Sequence, residues 1–434
     1  MRKISKISLV AAVAVAGFST ANAQPLEEAI KNVDVSGSVV YRYDNFDDSL
    51  NSGLATTGDR VDRNRYKIGL NLSSKVNDYV KFNSRFIVGG GDNTYGWATT
   101  NAQEGGKDAN ASVDLSQAYF GLTAIPNTVV NIGKQGLTTP YTVAVDINGN
   151  EQAGTGILAL STFGPITAGA GYFNNTNLDG STELNIGLGL NTDTTAPVAN
   201  QLDGAADMYV ATVQGDLDFV KLEAWYAGMQ DTFNSYTFAA TSNLDLAENA
   251  KIGLEARYVY LGWDNDAKGT VANVMNGVVD TLTGTPGTGT LTANDIDKDN
   301  SMFRFAVDGK FSIVNARLAY TKTGKDGGVT ALDQDAKNTS LGWNISSNAI
   351  NDADYYQAAL GADILDNLNF TVHYGKIKGM EDNVYKANEL YGQLTYKMSK
   401  NLNTYLRYGQ YERKIDGDKD IDQDIGRLQV AYTF

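Results

Sequence analysis

A chain of 434 residues with no Cys, one His, 45 Gly, 24 Tyr and a formal net charge of −15 cannot be a disulfide scaffold or use thiolate chemistry. Its acidity argues against a nucleic-acid partner, whose phosphates demand a basic surface. Beyond the first segment no run approaches the roughly 20 apolar residues of a spanning helix, which excludes a helical membrane protein.

Arg2, Lys3 and Lys6 supply a positive region, residues 9–18 an apolar core, and Ala21-Asn22-Ala23 a small-residue cleavage site. Residues 1–23 are therefore expected to be a cleaved secretory signal peptide, and residues 24–434 one domain without linkers. Residues 24–32 predict a short helix, with Pro25 at its start and Glu27 and Glu28 in its first turn.

Apolar and polar residues then alternate with period two, the mark of strands with one oily and one wet face. The alternation predicts strands at 35–44, 63–72, 79–88, 114–123, 128–134, 156–163, 166–173, 207–215, 219–229, 233–244, 251–263, 302–311, 314–322, 355–362, 367–377, 390–398, 402–412 and 425–434, a count of 18. In the last, Leu428, Val430, Tyr432 and Phe434 alternate with Arg427, Gln429, Ala431 and Thr433. A strand that is oily on one side, wet on the other and closed by an aromatic residue suits a transmembrane antiparallel β-barrel, whose last strand seals against its first.

Between these strands short connections, such as 75–78, 125–127, 164–165 and 399–401, alternate with long ones at 45–62, 89–113, 135–155, 174–206, 264–301, 323–353 and 378–389. Short periplasmic turns and long outer loops account for that rhythm. If apolar positions face lipid, Arg42, Arg65, Lys67, Lys81, Arg85, Arg257, Arg304, Arg317, Arg407 and Arg427 face the lumen, with Glu223, Glu255 and His373. A charge on the lipid side near the midplane would cost about 2–4 kcal/mol. So many strands enclose more space than side chains fill, so the lumen is expected to hold water and act as a pore. With the export signal, the location expected is the outer membrane of a Gram-negative cell.

The third long loop, 135–155, carries Asp146 and Glu151. Acids on a loop that narrows a barrel, opposite wall arginines, set up a transverse field that selects ions and orients polar solutes. The expected pore constriction is Asp146 and Glu151 facing Arg42, Arg65, Arg85 and Arg407; the alternative is that the acids are solvated and the arginines pair with lumenal acids.

The chain resembles the Campylobacter-type major outer membrane porins. The resemblance lies in Pro25-Leu-Glu-Glu-Ala-Ile-Lys-Asn-Val-Asp-Val-Ser-Gly37, in Tyr41-Arg-Tyr-Asp44, in Gly133-Lys-Gln135 and Gly154-Thr-Gly156 around the third loop, and in the closing strand. It implies an 18-stranded barrel, a homotrimer, a third loop folded into the channel, and general diffusion of small hydrophilic solutes and ions with mild cation preference. Members also carry calcium near the constriction. Between Gln135 and Gly154 this chain departs from the family in length and in where its acids fall, so no calcium ligands are assigned. No other cofactor is expected.

Two acidic runs, Asp295-Ile-Asp-Lys-Asp299 and Asp416-Gly-Asp-Lys-Asp-Ile-Asp-Gln-Asp424, imitate calcium loops but lack Gly at the sixth position and Glu at the twelfth. They are expected to be solvated outer loops, bridged by divalent ions to lipopolysaccharide. A lipid-hydrolysing barrel, the enzymatic alternative, would need a nucleophile and an orienting group beside His373, and no motif supplies them. An adhesin or receptor, with the pore incidental, is the other class open to such a barrel.

Overall fold

The computed structural model describes residues 33–49, 60–90, 95–101, 111–147, 149–180, 203–265, 298–380 and 384–434, with isolated positions between 267 and 294. The expected signal peptide, the helix at 24–32 and most of the Gly- and Thr-rich stretch 270–292 lie outside the described residues.

The strands are β1 (Val33–Asp48), β2 (Arg60–Asn77), β3 (Val80–Gly89), β4 (Ala98–Asn101), β5 (Ser112–Leu122), β6 (Thr128–Gly136), β7 (Ala153–Phe163), β8 (Ile166–Thr176) and β9 (Met208–Asp216). They continue as β10 (Lys221–Met229), β11 (Phe233–Ala247), β12 (Ala250–Trp263), β13 (Asp299–Phe311), β14 (Val314–Thr323), β15 (Asp354–Leu365), β16 (Leu368–Gly379), β17 (Tyr385–Lys397), β18 (Leu402–Ile415) and β19 (Asp418–Thr433). Every pairing is antiparallel, and each strand pairs with its chain neighbour except at β4.

The barrel closes where β1 meets β19 in the register Val39↔Tyr432, Tyr41↔Val430 and Arg42↔Gln429. Gly37 and Phe434 seal the seam by exchanging backbone hydrogen bonds of 2.9 and 3.0 Å. The wall has 18 staves rather than 19, because β3 and β4 share one. β3 pairs with β2 up to Ile68↔Val88, and Ala98 resumes against Tyr66. Just before β4, the Tyr95 ring lies against the Lys134 ammonium and the Trp97 ring against the Arg42 guanidinium.

The period-two reading of the faces holds along most of the wall. On β1, Val39 and Tyr41 are exposed while Val40 and Arg42 are buried. With 16 to 18 residues, β1, β2 and β19 exceed the roughly 9–11 that a tilted membrane strand needs.

The rule fails on the inward side of β9 to β13. Met208, Val210, Met229, Phe233, Leu261, Trp263 and Met302 point inward and are buried. They pack on Leu137 and Tyr141 of the third outer loop and on Val329 and Leu332 of the seventh, residues 324–353. A second inward cluster joins Trp343, Ile345 and Ile350 of that seventh loop to Tyr355, Ile377, Tyr391 and Ile425 of the wall. The apolar core of this protein therefore lies within the lumen, because two loops fold into it.

The strict alternation of long and short connections also breaks three times. Only residues 230–232 join β10 to β11, only 380–384 join β16 to β17 where a long loop at 378–389 was expected, and only Asp416-Gly417 joins β18 to β19. In the last, Asp416 and Gly417 have φ of 50° and 90°, the paired left-handed conformations of a tight hairpin turn. The acidic run 416–424 is thus a hairpin and not a calcium-type loop, with Lys419 paired to Glu412 and Asp422 at 2.8 Å each. Of the other run, Asp299 opens β13 and accepts a hydrogen bond of 2.6 Å from the Tyr260 hydroxyl, while 295–297 lie outside the described residues.

Candidate pore constriction

The third outer loop, residues 137–152, runs from β6 to β7 and is clamped against the inner face of β2 and β3. Arg85 on β3 donates from Nε and Nη2 to the two Glu151 carboxylate oxygens at 2.8 and 2.6 Å. Lys67 on β2 lies 3.5 Å from the same carboxylate and donates to the carbonyls of Asp146 and Gly149 at 2.7 and 3.0 Å. Period-two alternation aims both cations inward, and the buried acid requires such partners. On another side the Tyr141 hydroxyl accepts from Thr237 of β11 at 2.9 Å, and burial pushes that phenol up to about 12, which keeps it neutral.

The seventh loop meets the third in mid-lumen. Its Leu332 and Asn338 amides donate to the Tyr141 and Pro140 carbonyls at 2.8 and 2.9 Å, and Gln152 Nε2 donates to the Leu332 carbonyl at 2.7 Å. Arg304 on β13 donates to the carbonyls of Thr339 and Lys337, and Arg257 on β12 to Asn338 Oδ1 at 3.3 Å. Glu255 holds both arginines, at 2.7 and 3.0 Å. The far end is held by Glu389 on β17, whose two oxygens each accept a backbone amide, from Trp343 and Asn344, at 2.8 Å. No Cβ fits at Gly342, since it would collide with that carboxylate. Together the two loops form a bridge across the lumen from β2 and β3 to β17.

The expected constriction residues separate into three groups. Glu151 and Arg85 do not face each other across water, and Glu151 is not solvated either; they form one buried ion pair that anchors the third loop. Arg42 is buried beneath Trp97, its guanidinium 4.5 Å from the ring centroid, and donates to Gln429 at 2.8 Å. Arg65 and Arg407 keep partial access to the lumen, with Arg427 between them on the wall. Arg427 pairs with Asp44, which is fully buried. Asp146 is buried where the two loops meet, and one carboxylate oxygen from each of Asp146, Asp333 and Asp335, the last two from the seventh loop, lie within 4.8 Å of one another. Three hard oxygen donors at that spacing fit a calcium ion. His373 stacks on Tyr391, with ring centroids 4.6 Å apart.

Sequence reasoning placed 323–353 as a long outer loop but missed its folding into the lumen, although signals for it were present. Tyr258-Val-Tyr-Leu-Gly-Trp263 is apolar at both parities, which marks a strand end covered on both faces. Residues 341–350 carry Leu, Trp and two Ile, too apolar for a solvated loop.

A family model described as Campylobacter major outer membrane protein matches residues 1–434. No curated protein matches the chain. Among solved structures it is similar to Pseudomonas aeruginosa OpdK with vanillate, at 14% identity, 92% of this chain, 98% of that one and a TM-score of 0.65. It is likewise similar to a BenF-like porin from Pseudomonas fluorescens Pf-5, at 12% identity, 93% and 99% coverage and a TM-score of 0.66. A third is Acinetobacter baumannii OccAB3, at 15% identity, 92% and 99% coverage and a TM-score of 0.64. At these identities the likeness is one of fold, that of outer-membrane porin barrels. The match to the family model spans the whole sequence, and the chain belongs to the Campylobacter major outer membrane protein family.

Proposed function

We propose that the protein is a general-diffusion porin whose passage runs between the bridge of the third and seventh loops and the wall formed by β18, β19, β1 and β2. The observation that carries this reading is the anchoring of the bridge at both ends, at Arg85–Glu151 and at Glu389. On the β9–β13 side the apolar cluster seals the bridge to the wall, so water and small hydrophilic solutes pass on the arginine side. The cation preference that the resemblance implies requires Asp146, Asp333 and Asp335 to outweigh the wall arginines at the narrowest point. Calcium held by those three aspartates would tie the two loops together. The signal peptide delivers the chain for export, the working unit is a homotrimer, and the outer rim contacts lipopolysaccharide. The test is single-channel conductance of purified, refolded protein, with the reversal potential in a salt gradient. Stepwise, solute-blockable current supports the reading, and silence from a folded barrel moves the weight to an adhesin or receptor.

A further inference from the structure

Four guanidinium groups stand on four adjacent strands of the proposed passage wall. Arg42 is directly opposite Arg65 in the β1–β2 register, and Arg407 is directly opposite Arg427 in the β18–β19 register. Like charges in directly opposed positions destabilise a sheet. Few acids nearby offset them. Asp44 pairs with Arg427 and lies 3.9 Å from Arg65, while the Glu389 oxygens accept the Trp343 and Asn344 amides.

The donors these arginines leave over are arranged for an oxyanion. Arg407 directs Nε and Nη2 to the single oxygen Oε1 of Gln393, at 2.8 and 2.6 Å, and among the described residues its Nη1 makes no hydrogen bond. Arg427 directs Nε to Asp44, and among the described residues neither of its Nη atoms makes a hydrogen bond. The guanidinium faces are covered. Arg407 lies 4.8, 4.9 and 5.2 Å from the ring centroids of Trp343, Tyr391 and Tyr405, and Arg427 lies 5.5 Å from Trp343. Stacking holds the forks in place and leaves their N–H edges for a planar, two-oxygen acceptor. Trp343 arrives on the seventh loop, so the station exists only when that loop is docked.

We propose that Arg407 and Arg427, stacked on Trp343, form a binding station for small organic carboxylates crossing the pore, an inference that rests on the porin reading. The carboxylate takes the free N–H edges, and the aromatic rings offer its apolar body a surface. Arg65, which is half-buried and directly opposite Arg42, is a further contact along the same wall.

The probe is benzoate, with benzamide as its neutral match, added at constant KCl to single channels in a planar bilayer. Benzoate is expected to interrupt the current in a concentration-dependent way, and benzamide is not. Arg407→Gln and Arg427→Gln should each weaken the block roughly tenfold, the loss of about one charge-assisted hydrogen bond. Arg407→Lys keeps the charge but not the fork and should also weaken it, while Arg317→Gln, on β14, should leave it unchanged. In detergent, benzoate should change tryptophan fluorescence in wild type and not in Trp343→Phe, a readout that does not need conduction. Equal action of benzamide, a block unchanged in all three variants of Arg407 and Arg427, or inorganic phosphate acting as strongly as benzoate would overturn the proposal. A wild-type channel silent in KCl that still binds benzoate in detergent would sink the porin reading and leave the station standing.

Discussion

Glu151→Gln is the most direct perturbation of the bridge. The substitution keeps the shape of the side chain but removes the charge that neutralises Arg85 and Lys67. Arg85 holds the carboxylate through two bonds of 2.6 and 2.8 Å, and both partners are buried. Removing one partner of such a pair costs about 3–5 kcal/mol, because the remaining charge stays buried without compensation. At about 1.4 kcal/mol per factor of ten, the detached state of the third loop gains roughly two to three and a half orders of magnitude in population. The other tethers, such as Thr237 to Tyr141 and Gln152 to Leu332, are single hydrogen bonds worth about 1 kcal/mol each. They do not make good the loss. Single-channel recording should therefore show higher unitary conductance or increased current noise, with the barrel still folded by heat-modifiable electrophoretic mobility. A folded variant with wild-type conductance and wild-type noise would refute the bridge as the element that narrows the pore.

Glu389→Ala leaves the Trp343 and Asn344 amides without their acceptor, at about 1–3 kcal/mol for each orphaned group. It should free the far end of the seventh loop, seen as faster proteolysis of 341–350 and raised conductance. Adding a side chain by Gly342→Ala should give the same phenotype, since the new methyl displaces the Glu389 carboxylate. Calcium at about 100 times its dissociation constant should stabilise the fold by about 2.7 kcal/mol, read as a rise in melting temperature that Asp333→Asn abolishes. Deleting Phe434 removes both seam bonds to Gly37 and should lower the yield of folded barrel, measured by the heat-modifiable fraction.

The wall was legible in the sequence because lipid imposes period two on every strand it touches. Each of the eighteen expected segments overlaps one stave, with ends off by a residue or more, and most of the expected lumenal charges point inward. The inside was less legible, since no single rule governs the lumenal face. Where water fills the lumen it is polar, as at Arg65 and Arg427. Where a loop docks it is apolar, as at Met208, Phe233 and Leu261. That difference depends on a loop more than sixty residues away in sequence, and local pattern cannot encode it. The Asp416-Gly417 hairpin was a different case. Its turn signal was present, but the neighbouring acids drew attention to calcium spacing instead. Glu151 was singled out as a charge facing the passage and is instead buried against Arg85, because sequence places an acid on the loop and not the cation that clamps it.

The measurement that bears most directly on the central claim is planar-bilayer conductance of the refolded wild-type protein, with the reversal potential across a KCl gradient. Stepwise insertions, with conductance in groups of three and a small reversal potential of cation-favouring sign, are the expected result. A correctly folded barrel that passes no ions would contradict the existence of an open passage beside the bridge.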